Sequence, residues 1–468
     1  VPYFAIENFA AGLDLRRSSL TAPAGTLRVL RNAHITPGGE IEKRYEFTYL
    51  QTLGSISRGL AELNNQVYTF VPGGPGISPP PAEFTVGTHG LATNALQYIL
   101  DYDKFDKKFY VAAAVGDNAT YGYAHFFNGA KVSIPNTAPR GAYVRTYKSK
   151  MFGTQGTVLY FSSVGNPADW AGTGAGSIDM SLEDSDMSNT LALEAYYDKL
   201  AVFSDTAVQL WTIDPDPLLT QFNQTLRQAG TIAPQSVLQY GSGDILYLAP
   251  DGIRSLRARN SSLAASVSDV GSPLDPVFQN LYRTMGQGWM GNAISILQPV
   301  SGRFWIILND RIYVLSAFPG PKVTAWSEYV LQTGRSIVAA TVCNQRLYVR
   351  DDLHNVYVYG GTNAAAPVFD SSAVEVVLPF HGGDRPETYK KFHGIDAVAT
   401  GEWDVYASID PSTEAEDYLG KITGPTQLVG RFPMLGYSTH LSLRFRSAKP
   451  GPQTISNITV HYDLAQAS

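Results

Sequence analysis

The sequence predicts a mainly β fold, a six- or seven-bladed β-propeller accompanied by a small β-sandwich platform. Three observations carry that reading. Across 468 residues, 44% are apolar and only 16% charged, which excludes a disordered chain and a long coiled coil. The 43 Gly and 28 Pro, beside 27 Tyr and 21 Phe, suit many short strands joined by turns. Most telling is a hairpin that recurs along the chain: an apolar pair or triplet, a turn, then a second apolar strand.

The hairpin template runs through most of the chain. Val67-Tyr68-Thr69-Phe70 is its faintest copy, and Phe109-Tyr110-Val111 before Tyr121-Gly122-Tyr123 is a looser one. Met151-Phe152 pairs with Val158-Leu159-Tyr160, Leu200-Ala201-Val202 with Val208-Gln209-Leu210, and Ile245-Leu246-Tyr247 with Ile253. Phe304-Trp305-Ile306 precedes Ile312-Tyr313-Val314, and Leu347-Tyr348-Val349 precedes Val356-Tyr357-Val358. The seven anchors are spaced by 42, 42, 49, 45, 59 and 43 residues. A propeller blade takes roughly 40–50 residues, and an isolated hairpin cannot bury its own face. A large sandwich of evenly spaced strands is the competing arrangement.

Turns and insertions fit the same frame. Asp251-Gly252 and Asn309-Asp310 stand between paired strands, where positive φ must be tolerated. Asp216-Pro217 with Leu218, Leu219, Phe222 and Leu226, closed by Gly230, predicts a short helix. Asp275-Pro276 with Val277, Phe278 and Leu281 predicts another and accounts for the 59-residue interval. Residues 71–82 read as a proline- and glycine-rich loop. The hairpin period ends after Gly360-Gly361. Beyond it lie alternating strands: Val374-Val376-Leu378, Trp403-Val405-Ala407, Leu441-Leu443-Phe445 and Ile455-Ile458-Val460-Tyr462. The expected organisation is therefore 1–55, strands packing with the platform; 56–370, the propeller; and 371–468, the platform sandwich.

Chemistry is sparse. The balance of 35 basic and 41 acidic residues, net −6, argues against a protein that grips nucleic-acid phosphates. The lone Cys343 excludes an intrachain disulfide and sits in an apolar strand, where a buried, inert thiol is the default. The tightest acidic group is Asp179, Glu183, Asp184 and Asp186; calcium chelation, an acidic surface and a plain solvated loop compete for it. Its spacing lacks the glycine and terminal glutamate of an EF-hand loop. The sialidase repeat is absent, and its nearest look-alike, Ser163 to Trp170, reads as a blade turn with a buried Trp170. The eight histidines never stand four apart, so no helical zinc pair forms. Gly286-Gln287-Gly288-Trp289-Met290-Gly291 copies a dinucleotide fingerprint but follows an expected helix, without a βαβ unit around it. The pairs Arg16-Arg17 and Lys43-Arg44 read as ordinary surface or subunit salt bridges. The expectation is no enzyme, with no catalytic, cofactor or metal residues. No stretch approaches the ~18 apolar residues of a membrane span, and the opening Val1-Pro2-Tyr3-Phe4 lacks the basic and apolar regions of a leader, so a soluble protein is expected.

Several stretches carry a resemblance. Asn8-Phe9-Ala10-Ala11-Gly12-Leu13-Asp14, Leu30-Arg31-Asn32-Ala33 and Gly38-Gly39-Glu40-Ile41-Glu42-Lys43-Arg44 resemble the opening of tail tubular protein B, the tail nozzle or tail stabilisation family of short-tailed bacteriophages. Phe161 to Trp170 is similar to a blade of that family, as is Ala233-Pro234-Gln235-Ser236-Val237 with Asp251-Gly252-Ile253-Arg254. Ser268-Asp269-Val270-Gly271-Ser272-Pro273-Leu274-Asp275 is similar to a linking segment. The resemblance touches most of the chain in short, degenerate pieces. It implies a hexameric ring at the end of a short virion tail, assembled in the host cytoplasm. The implied partners are the head-to-tail connector or adaptor, a tail fibre or needle protein, and double-stranded DNA passing through without specific binding. On that reading the Asp179–Asp186 loop is expected near the lumen. The alternatives are a carbohydrate-binding or depolymerising propeller at the host surface, and a cellular scaffold propeller.

Overall fold

The computed structural model describes residues 2–73, 77–78, 85–91, 96–115, 118–127, 132–133, 139–241, 243–258, 265–363, 365–383 and 385–464. The chain is a β-propeller joined to a β-sandwich platform. Each of the seven anchors occupies the second position of a blade's second strand: Gln66–Pro72, Lys108–Val115, Lys150–Gln155, Lys199–Ser204, Asp244–Ala249, Arg303–Leu308 and Arg346–Asp351. The reason is physical. The second strand is covered on both faces by neighbouring blades, so it carries the densest apolar run, as in the wholly buried Phe304 to Leu308.

The innermost strands are Arg58–Leu63, Leu96–Phe105, Val144–Tyr147, Thr190–Tyr196, Leu238–Tyr240, Ile294–Gln298 and Ile337–Cys343. Each lies against the next, and Ile337–Cys343 lies against Arg58–Leu63, so the ring closes at seven blades. Blades three, four and five are four-stranded antiparallel meanders. Blade seven takes its outer strand from the start of the chain: Phe47–Thr52 pairs with Asn355–Tyr359. This strand was expected among the platform strands of 1–55; it is a propeller strand, and its pairing ties the two ends of the ring together.

Blades one and two depart from the regular pattern. Gly87–Leu91 runs parallel to Gln66–Pro72 and also meets Val132–Ser133, which joins the two outer edges into one sheet. The expected loop at 71–82 falls largely outside the described residues. At its margins Val71 and Pro72 end a strand, and Ile77–Ser78 pairs with Thr88 and His89.

The platform has two facing sheets. One has the order Phe432–Ser438, Lys390–Thr400, Thr454–Leu464, Ile41–Lys43 and Ala33–Ile35, with Tyr3–Ile6 also beside Thr454–Leu464. The other grows directly from the outer strand of blade six, Val323–Val330. It continues through Val29–Arg31, Val374–Val377, Ser442–Ser447, Trp403–Ser408 and Asp417–Ile422. Phe9, Ile35, Ile41, Val376, Phe392, Val405, Phe445 and Ile458 fill the space between them, and Val323 and Ala325 of the blade join that core. Propeller and platform thus share one continuous sheet.

The two expected helices part company. Residues Asp275–Met285 form the helix, with Phe278 buried, although Asp275 stands inside the first turn and its carboxylate bonds Arg254 rather than capping. Around residue 216 only a turn of 3-10 helix forms, Pro217–Leu219, with Asp216 accepting from the Leu218 amide. The rest, Gln221–Arg227, is the outer strand of blade four. Phe222 and Leu226 are four apart, a spacing that serves one face of a helix and one face of a strand alike, and the open ladder of Ala207–Thr212 decides between them. Gln287–Met290 is a single helical turn following the Asp275 helix, so the glycine pattern there has no strand before it.

Candidate functional site

The acidic group does not converge. Asp179 ends the outer strand of blade three and accepts from the Ser181 amide (3.1 Å) and hydroxyl (2.7 Å), bonds that hold its pKa down. Glu183 ends the short turn Met180–Leu182 and is exposed. Asp184 is buried, accepting from the Asp186 amide at 3.0 Å and pairing with Arg227 at 3.1 Å, while Asp186 lies 3.3 Å from the same guanidinium. Arg227 thus contacts two of the four acids and offsets one of their charges. No cluster of three metal-ligating side chains occurs among the described residues. Cys343 is buried and unbridged.

The residues that carry the resemblance build two constructions, each around a buried arginine. The first joins platform to propeller. Arg44 is 0% exposed, and its five N–H groups all find acceptors. They are Asn32 Oδ1 (2.9 Å), the Tyr45 carbonyl (2.7 Å), Asp370 Oδ2 (3.0 Å), the Val330 carbonyl (3.0 Å) and Ser372 Oγ (3.0 Å). Beside it Lys43 donates to the carbonyls of Asp370 (2.6 Å) and Lys449 (2.7 Å), and burial lowers its pKa. The Lys43-Arg44 pair expected at the surface is therefore interior, held there because backbone carbonyls and one carboxylate replace water. Gly12 is part of the same seam. Its φ is +58°, and a Cβ there would stand 2.7 Å from that of Ala325 in blade six. Arg16, by contrast, is a partly exposed partner of Asp14 at 2.8 Å.

The second construction gathers three separate motif pieces on one guanidinium. Arg254 pairs with Asp251 (2.7 Å), Asp269 (3.3 Å) and Asp275 (2.9 Å). It locks the hairpin of blade five to the segment that enters the helix. Gly271 lets that segment press onto Ile253, whose Cβ would lie 2.5 Å from one on the glycine. In the Ser163–Trp170 stretch, Ser163 donates to Asp169 (3.0 Å), and Asp169 accepts from the amides of Ala171 and Gly172. Trp170, expected to be buried, is only half-buried, its ring lying over Gly153.

The cavity that sequence reasoning missed is the propeller's own channel, about 480 Å³, lined from all seven inner strands or the turns entering them. Gln235 reaches across it to the Leu100 carbonyl at 2.9 Å. Blades two, three and four place Asp101, Arg145 and Glu194 together: Arg145 pairs with Glu194 at 3.1 Å, and Asp101 accepts from the amides of Tyr102 and Val144. Burial pushes Asp101 up to about 7, and burial raises Glu194 in spite of Arg145. At the mouth stand Arg58, Arg350, His354 and Asp352. Asp101, directly after the apolar run Tyr98-Ile99-Leu100 of the inner strand Leu96–Phe105, was the available sequence signal.

No known family matches the chain, and no curated protein does. Among solved structures, the chain is similar to the WD40 domain of Neurospora crassa Pan2, with a TM-score of 0.28 and 11% identity. That match covers 57% of this chain and 89% of the other.

Proposed function

We propose that this chain is a structural virion protein, one subunit of a six-membered nozzle ring that ends a short phage tail, closes its channel and conducts DNA during ejection. The observation that carries the reading is where the resembling residues fall. Phe9, Gly12, Asn32, Lys43 and Arg44 form the seam between platform and propeller, while Asp251, Arg254, Asp269 and Asp275 form one ion cluster. Short, degenerate pieces scattered through the sequence thus make up the load path of the fold, which favours a shared architecture over chance likeness.

Three further features support it. A sheet continuous from blade six into the platform suits a subunit that must transmit force. Six copies at −6 each would carry about −36, a surplus that disfavours adhesion of a duplex wherever it faces the lumen. Leu182 and Leu218, 82% and 90% exposed on turns of blades three and four, offer apolar contact to neighbours. The connector, the fibre or needle, and passing DNA remain the partners of this reading, and the Asp179–Asp186 loop its candidate lumen element. Quantitative mass spectrometry of purified particles tests it: six copies per tail are expected, and absence from the particle sinks it.

A second reading, a carbohydrate-binding propeller, has the channel's Tyr98, Tyr102 and Tyr143 beside Asp101 in its favour. Saturable binding of host polysaccharide would move it to first place.

A further inference from the structure

The mouth of the propeller channel holds two arginines that form no ion pair with a carboxylate among the described residues. Arg350, on the second strand of blade seven, is 2% exposed. Its Nη1 donates to the Gly59 carbonyl (3.0 Å) and Thr69 Oγ1 (3.4 Å), and its Nη2 to the Ser57 carbonyl (2.7 Å) and Oγ (3.2 Å). All four are neutral acceptors, and Nε has no partner among the described residues. Arg58, on the facing inner strand of blade one, spends Nε and Nη1 on the carbonyls of Gln97, Ser55 and Ser57. Neither guanidinium forms an ion pair with a carboxylate among the described residues.

The nearby acids are occupied elsewhere. Asp351 accepts from the amides of Leu353 and Asn355, the Asn355 side chain and the Tyr357 hydroxyl. Asp352, on the cavity wall, lies 3.9 Å from Arg335. Asp101 holds two backbone amides. His354 completes the mouth: its Nδ1 lies 2.7 Å from Arg350 Nη2. A guanidinium can only donate, so Nδ1 accepts, the ring proton sits on Nε2, and Nε2 is a donor. A buried cation with no carboxylate paired directly to it is costly, and a bound anion would relieve that cost.

We propose that the channel mouth is an oxyanion site, in which Arg58 and His354 hold the phosphate or carboxylate group of a small anion and the buried Arg350 beside them adds its charge. Burial and the neighbouring Arg58 bring Arg350 down to about 10, against the opposing pull of Asp351, which still leaves it charged at neutral pH. The cavity, about 480 Å³, has room for more than inorganic phosphate, and its Tyr98, Gln235 and Ser295 add further hydrogen-bonding groups.

Isothermal titration of the full chain with inorganic phosphate, and separately with citrate, tests the proposal, with sodium chloride at matched ionic strength as control. Saturable binding at one site is expected, weakened about tenfold in Arg58→Gln through loss of one charge-assisted contact. His354→Ala, on a hairpin turn, removes one of the three acceptors of Arg350 Nη2 together with the Nε2 donor; it is the second variant and is expected to weaken binding likewise while its circular dichroism stays unchanged. Phosphate binding without citrate binding would identify a phosphate site, and the converse a carboxylate site; either supports the proposal. No saturable heat with either anion, or equal affinity in both variants, overturns it.

Discussion

Arg44 and Asp370 meet at 3.0 Å with both side chains sealed from solvent, the one far from the other in sequence and each on a segment that crosses between platform and propeller. The pair is held by geometry as much as by charge, because every other donor of Arg44 is also satisfied. Removing one partner of such a buried pair costs about 3–5 kcal/mol. Arg44→Met is therefore expected to lower the denaturation midpoint sharply, and Arg44→Lys to recover little, since an ammonium cannot reach five acceptors. Equilibrium denaturation of the two variants measures this.

The Arg254 cluster makes a narrower prediction. Its three acids are partly exposed, so water can take over much of their solvation when the guanidinium is removed. Arg254→Ala is expected to cost about 2 kcal/mol. Hydrogen exchange should rise first at the Asp275–Met285 helix, which the cluster anchors; uniform loosening of all blades would contradict the assignment.

Closure of the ring rests on Phe47–Thr52. Phe47 is buried against Tyr359 (ring centroids 5.2 Å apart) and Trp305 (6.0 Å), so it joins the last blade to the sixth as well as to the chain start. Phe47→Ala is expected to cost about 3–5 kcal/mol. Limited proteolysis should then cut the link between Thr52 and Arg58 faster than in the parent protein; unchanged cutting would mean that the strand does not hold the ring shut.

The platform is expected to weaken in acid. His34 is buried, its Nδ1 2.7 Å from the Tyr329 hydroxyl and its Nε2 3.4 Å from Glu42. Burial and the charge of Arg303 lower its pKa to about 4, against the opposing pull of Glu42. The native state thus binds fewer protons than the unfolded chain between the ordinary histidine value of 6.5 and about 4. The stability from this group is complete above 6.5 and is lost as pH falls through that window, by a total of about 3 kcal/mol. His381, lowered to about 4 by burial, acts in the same direction. Denaturation at pH 7.5, 5.5 and 4.5 should show the slope, and His34→Gln should flatten it.

The propeller was legible because its anchors are one structural position repeated. Val67, Phe109, Met151, Leu200, Ile245, Phe304 and Leu347 meet the same two-sided burial in every blade, and burial writes itself into residue type. What was hidden depends on contacts distant in sequence. Nothing near Arg44 announces Asp370, and nothing near Phe47 announces Asn355–Tyr359. The strand at Gln221–Arg227 read as a helix because its apolar spacing satisfies both periods. The channel's Asp101, Arg145 and Glu194 come from three blades, so only ring closure brings them to one cavity.

A symmetry-imposed image reconstruction of an intact short-tailed particle, fitted with this chain, tests the central claim most directly. Six copies around a channel wide enough for a duplex, with their platforms meeting the connector ring, are the predicted result. Copies on the tail's periphery, or none in the tail at all, would contradict it.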